Sequence, residues 1–182
     1  MSGVLIMADG HRVPVNPTPD DIRLQDIIRG LSTEYRFGGH TLHPYTVAQH
    51  SVLLSELVPE EYRLVALLHD ASEAYLHDMV RPYKDEMPEY RCLEDRFMRC
   101  VGEKFGFDWP IPEVVSEMDE MLYVVERETL QPGHGLWTES TRPPAAPVKI
   151  VRFHPPFKAA RVFELALKEV GLTCGERLLS FS

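Results

Sequence analysis

Four side chains stand out for the chemistry they can do: His50 in YTVAQHSVLL, the adjacent His69 and Asp70 after LVALL, and Asp119 within EVVSEMDEMLYVVERETL. Two neutral imidazoles and two carboxylates roughly balance a dication and leave positions open for water and a phosphate oxygen. A set of nitrogen and oxygen donors suits a divalent ion such as Co, Zn, Mn, Mg or Ni. A buried carboxylate loses hydration energy unless an ion or hydrogen bonds replace it, so the apolar approach to His69 and Asp70 favours a site over a solvated face. Any one of these residues alone reads as a hydrogen-bonded core side chain or a cap. The joint pattern points to a metal.

The spacing predicts the elements that must gather them. Val47 stands three residues before His50 and Leu54 four after, which puts the imidazole on the inward face of a helix capped by Thr46. Pro59 stops that helix, and EEYRLVALLHDASEAYL is expected to form a second, antiparallel one that carries His69 and Asp70. Val115 and Leu122 flank Asp119 in the same way on a helix opened by Pro112, with Glu126 two turns further along. Glu73 lies four residues after His69 and three after Asp70, within reach of the metal's surroundings, and fits a general base or acid. Asp78, one turn later, is placed to align an attacking water.

Around this core the sequence implies one predominantly α-helical domain over 1–182. GVLIM and HRVPV flank Asp9-Gly10 and predict a short N-terminal β-hairpin. Asp20 or Asp21 is expected to cap a helix with Ile22, Ile27, Ile28 and Leu31 on one stripe, and further helices are expected over about 88–105 and from Phe157 to a stop at Gly171. Residues 131–157 form a long Pro-rich loop in which only VKIVRF is strand-like. His77 reads as solvent-facing, and His134 with Trp137 as an anchor within the loop.

Composition excludes several classes. A formal net charge of −9 argues against stable nucleic-acid binding, yet a metal and a few cations can make one cleft attractive to a small anion. No apolar run approaches a membrane span, and the N-terminal segment lacks the pattern of a secretory signal, so a cytoplasmic location without membrane contact is expected. Cys92, Cys100 and Cys174 form no CxxC and are expected to be reduced, buried thiols.

The series H50…H69-D70…D119, with VAQHS, HDASE and HDMVRPYK around it, resembles the HD-domain phosphohydrolase superfamily. Within that superfamily it is similar to the small 5′-deoxynucleotidases and the phage dATP triphosphohydrolases, over about Tyr35 to Glu128. The resemblance implies an HD-domain helical bundle with metal ligands at His50, His69, Asp70 and Asp119. It implies a catalytic carboxylate at Glu73 and a water-orienting one at Asp78. Substrate-binding positions fall on Arg36, on Phe37, where the deoxynucleotidases carry Trp, and on Lys84. The activity implied is hydrolysis of a deoxynucleotide, with RFGGH and the short chain favouring a dNTP triphosphohydrolase. The alternatives are a 5′-deoxynucleotidase acting on dNMPs, a cyclic-nucleotide phosphodiesterase or (p)ppGpp hydrolase on the same core, and a non-catalytic nucleotide-binding regulatory module. A homo-oligomer is implied by the resemblance alone.

Overall fold

The Asp9-Gly10 turn folds the first segment back on itself: Val4–Ile6 (β1) pairs antiparallel with Arg12–Pro14 (β2), with Leu5 opposite Val13. A computed structural model of the chain describes residues 3–174, and the rest of the molecule is mostly helical. The helices are Leu24–Thr33 (α1), Val47–Leu57 (α2), Arg63–Leu68 (α3), Glu73–Leu76 (α4), Arg81–Lys84 (α5), Pro88–Phe105 (α6), Glu113–Leu130 (α7) and Pro156–Glu169 (α8).

Helix α2 is the hub. It packs against α1, α3, α7 and α8, so a side chain on its inner face is surrounded on every side. Its start is held as its sequence requires, with the Thr46 hydroxyl accepting a hydrogen bond from the Gln49 amide. Val47 and Ala48 contribute to one apolar cluster, with Ile27, Ile28, Leu67, Leu68 and Phe163. Leu54 contributes to a second, with Tyr45, Ala66, Val115, Leu122 and Leu130. His50 therefore sits on the element that separates the two.

Four expectations are corrected. The first helix begins at Leu24, not at Asp20 or Asp21. Thr18 and Asp21 instead close a capping box over the Pro19–Asp21 turn, and Ile22 is buried in the connection. The helix expected over 60–76 is interrupted at 69–72, where the amides of Ala71 and Glu73 bond carbonyls three residues back rather than four. VKIVRF finds no neighbouring strand among the described residues, and its Ile150 instead buries against the second apolar cluster as irregular chain. Cys92 is exposed and Cys100 and Cys174 half-buried, because Cys92 lies on the solvent side of α6; none of the three forms a disulfide among the described residues.

One glycine fixes where the interruption lies. A Cβ at Gly30 would stand 2.6 Å from the Ala74 Cβ, so α1 and α4 pack almost backbone to backbone. That contact holds α4, and with it Glu73 at its first position, against the core.

Candidate metal centre

The interruption at 69–72 turns His69 and Asp70 toward α2 and α7. His69 Nδ1 lies 2.8 Å from the Ala66 carbonyl, which can only accept, so this nitrogen carries the proton and Nε2 presents a lone pair. His50 Nδ1 lies 2.6 Å from Glu126 Oε1, and by the same reasoning its Nε2 is also an acceptor when the ring is neutral. The two Nε2 atoms face each other at 3.2 Å.

Two carboxylates complete the convergence. Asp119 Oδ1 is 3.1 Å from His50 Nε2 and 4.0 Å from His69 Nε2. Asp70 Oδ2 is 3.1 Å from His69 Nε2 and 3.7 Å from His50 Nε2. The donor atoms of His50, His69 and Asp119 all lie within 4.8 Å of one another, with Asp70 beside them. Lone pairs facing one another in a protein interior require a positive charge between them. Ligands about 2.0–2.2 Å from a shared ion stand about 2.8–3.6 Å apart at octahedral to tetrahedral angles, a range that includes the closer of these contacts. The group can hold a metal ion.

The protonation of the ion-free protein reports the same field. Burial and the Arg36 charge oppose a cation on His50, but Glu126 and Asp119 outweigh them and push its pKa up to about 9. Burial alone would raise Asp119; the two imidazoles instead lower it to about 2. Asp70 is likewise lowered, against its burial, by His69, His50 and Arg36. Glu73 shows the reverse: burial together with Asp70 and Asp78 raises it well above the usual carboxylate range, and its Oε2 is buried without a hydrogen bond. Asp78 is also raised by burial, though Arg36 counters it.

Glu126 has the largest role that sequence spacing left undefined. Fully buried on α7, two turns beyond Asp119, it joins His50 to Arg36, accepting from the Arg36 guanidinium at 2.9 Å. Burial would raise it, but Arg36 and His50 hold it below the usual range. Such a carboxylate fixes the imidazole's tautomer and orientation.

The cluster opens on a cavity of about 430 Å³, large enough for a nucleotide-sized ligand. Glu73, Asp78, Arg36, Phe37 and Lys84, each expected at a site, all line it together with Asp70 and Asp119. Arg36 is engaged rather than free, since Glu126 holds one end and Asp70 Oδ2 lies 3.6 Å from the other. Lys84 is paired with Glu94 at 2.6 Å. His40 also lines the cavity. His77 stays outside, its side chain 82% exposed and bonded to Glu34, and His134 rests against Trp137 in the loop.

Beside Phe37, the cavity's far wall is made by Tyr123 and Arg127, which the sequence did not single out. Phe37, at φ 58°, and Gly38, at φ 60°, both adopt the left-handed region, which bends RFGG so that the Phe37 ring meets Tyr123 at 5.8 Å. The Arg127 guanidinium lies 4.5 Å from the Phe37 ring centre and 5.0 Å from that of Tyr123, and Arg81 covers Tyr123 at 4.4 Å. No local pattern announces this wall, because Phe37 and Arg127 are brought together across the fold.

No family model matches the chain. It is 41% identical over 111 residues to the uncharacterized protein YfdR of Escherichia coli (strain K12), covering 61% of this chain and 62% of that one. It is 39% identical over 121 residues to the uncharacterized protein RCAP_rcc00048 of Rhodobacter capsulatus, covering 60% of this chain and 62% of the relative. The similarity thus spans less than two thirds of either relative's length, and neither name states an activity.

Proposed function

We propose that the chain is a metal-dependent phosphohydrolase of the HD type that acts on deoxynucleotides, with a dNTP as the favoured substrate. The observation that carries this reading is the convergence of two imidazole nitrogens and two carboxylates, with metal-ligand spacing, at the inner end of a nucleotide-sized cavity. His50, His69, Asp70 and Asp119 would hold the ion. When bound, it would lower the pKa of a water and offset charge developing on phosphoryl oxygens.

The chain's own residues supply the rest. Glu73 sits beside Asp70 in a buried position that raises its proton affinity, so it is suited to take a proton from the attacking water and return it to the leaving oxygen. Asp78, on the same side of the cavity, orients that water. Arg36, held between Glu126 and Asp70, is preorganised to face a phosphoryl group without rearrangement. In hydrolysis the water oxygen bonds to phosphorus, the bond from phosphorus to the leaving oxygen breaks, and the departing oxygen takes up a proton. No helix among the described residues is long and apolar enough to cross a membrane, which accords with a small-molecule substrate met in water.

The test is product analysis with every deoxynucleoside mono- and triphosphate in the presence of Co, Mn, Mg and Zn. Tripolyphosphate or pyrophosphate released from a dNTP supports the reading, and free phosphate from dNMPs alone redirects it to a 5′-deoxynucleotidase. Failure of every substrate with a metal-loaded protein removes the enzyme reading and leaves a nucleotide-binding module.

A further inference from the structure

Four Lys and Arg side chains line the cavity, and three are paired with a carboxylate. Arg36 has Glu126 at 2.9 Å, Arg81 has Glu120 at 2.6 Å and Lys84 has Glu94 at 2.6 Å. Arg127 has none among the described residues. Its Nη2 donates to the Tyr123 hydroxyl at 2.5 Å, its Nη1 donates to the Gln131 side chain, and its Nε is buried with no acceptor at all. A guanidinium cannot shed its charge, so a cation in a cavity wall with only neutral partners among the described residues is left for an arriving anion to balance.

The side chain is also held in place. The Phe37 and Tyr123 rings both lie against the guanidinium, and Gln131, one turn further on, ties it to the strained RFGG turn by donating to the His40 carbonyl. Little side-chain entropy remains to be lost on binding. Arg127 follows Asp119 by eight residues on α7, which is about 12 Å of helix rise, so the two stand at opposite ends of one cavity. Beyond Arg127, His40 and Gln131 the cavity leads into an open groove that the same three residues also line, so a ligand that reaches Arg127 is not blocked there.

We propose that Arg127 receives a second anionic group of the ligand, remote from the one at His50, His69 and Asp119, and so selects an oligophosphate over a monophosphate. As a substrate assignment this rests on the hydrolase reading above, but the binding claim does not. A chain of phosphates attached to a nucleoside supplies two anionic groups within the span of the cavity, whereas a monophosphate reaches only one end. Arg127 is thereby a specificity-determining residue.

The test titrates Co²⁺-loaded protein, freed of excess ion, with inorganic tripolyphosphate and, separately, with orthophosphate, following heat, in the unmodified chain and in Arg127→Met and Arg127→Lys. The bound ion supplies the inner anion site, ion content measured after each titration shows that it was not stripped, and the inorganic anions keep the result independent of nucleotide turnover. The expected result is at least tenfold weaker tripolyphosphate binding in Arg127→Met, partial recovery in Arg127→Lys, and unchanged orthophosphate binding, with thermal unfolding showing all three folded. Equal tripolyphosphate affinity in Arg127→Met overturns the proposal, as does an equal loss for both anions in a folded variant. With nucleotides in place of the inorganic anions, a dNTP KM raised at least tenfold in Arg127→Met, with kcat changed far less, extends the assignment to substrate. Arg127-dependent tripolyphosphate binding without hydrolysis of any nucleotide would sink the hydrolase reading alone, and hydrolysis confined to dNMPs would sink the Arg127 assignment alone.

Discussion

The inner end of the cavity and its outer wall are opposites. At the inner end, His50, His69, Asp70 and Asp119 turn nitrogen and oxygen atoms toward one another around the proton on His50, whose place an ion could take. On the outer wall, Arg127 carries a charge that meets no carboxylate among the described residues. Each arrangement is costly by itself, and each is held in place by its neighbours. Glu126 and the Ala66 carbonyl fix the imidazoles, and Phe37 and Tyr123 fix the guanidinium. The difference teaches that the cavity is complementary to a cation at one end and an anion at the other, which is the charge pattern of a metal with a phosphate chain.

The strongest way to break the comparison is at the inner end's chemistry. Glu73→Gln should keep the ion while lowering turnover about 10²–10⁴-fold, the usual weight of a positioned general acid or base. Steady-state rates beside metal analysis decide it, and an active Glu73→Gln protein would move the proton transfer elsewhere. Next, Glu126→Gln should weaken ion binding about 10–100-fold through the loosened His50 ring. Calorimetry with Co²⁺ reads this, and a fall in thermal stability with unchanged ion affinity would reduce Glu126 to a packing role.

The third prediction concerns pH. In the ion-free protein Glu126 and Asp119 hold a proton on His50 up to about 9, and an ion must displace it. Raising the pH frees the lone pair, so apparent ion affinity should climb about tenfold per unit below that value and level off above it. Asp119, lowered to about 2, is already ionised and adds no slope at neutral pH. A flat profile between pH 6 and 8 would mean that the proton is not at the site. The smallest effect is expected outside the cavity: Thr46→Ala, which uncaps the helix carrying His50, should cost about 1 kcal/mol in denaturant unfolding and leave metal content intact.

The same contrast explains what was legible in the sequence. Helices α2, α6, α7 and α8 follow from apolar spacing and from Thr46, Pro88, Pro112 and Gly171 at their ends, and that spacing placed His50 and Asp119 inward. The inner end of the cavity is thus written in local periodicity. The break at 69–72 is not, because LLHDASEAYL is made of residues that tolerate a helix, and the close approach of α1 at Gly30 to Ala74 just beyond the break is a tertiary contact that local periodicity does not carry. VKIVRF has strand-forming residues but no partner, and a strand exists only as a pair. The Arg127 wall was illegible for a similar reason: its meaning lies in a left-handed turn far earlier in the chain and in a carboxylate that is missing from its surroundings, neither of which leaves a mark on its own sequence neighbours.

The central claim is a cation held among His50, His69, Asp70 and Asp119, and equilibrium dialysis of metal-stripped protein against Co²⁺ tests it most directly. The account predicts at least one tightly held ion per chain, with the visible spectrum of cobalt bound to nitrogen and oxygen, and loss of both uptake and spectrum in a folded His69→Ala protein. No tight uptake by the unmodified chain, or the same uptake and spectrum after His69→Ala, would contradict it.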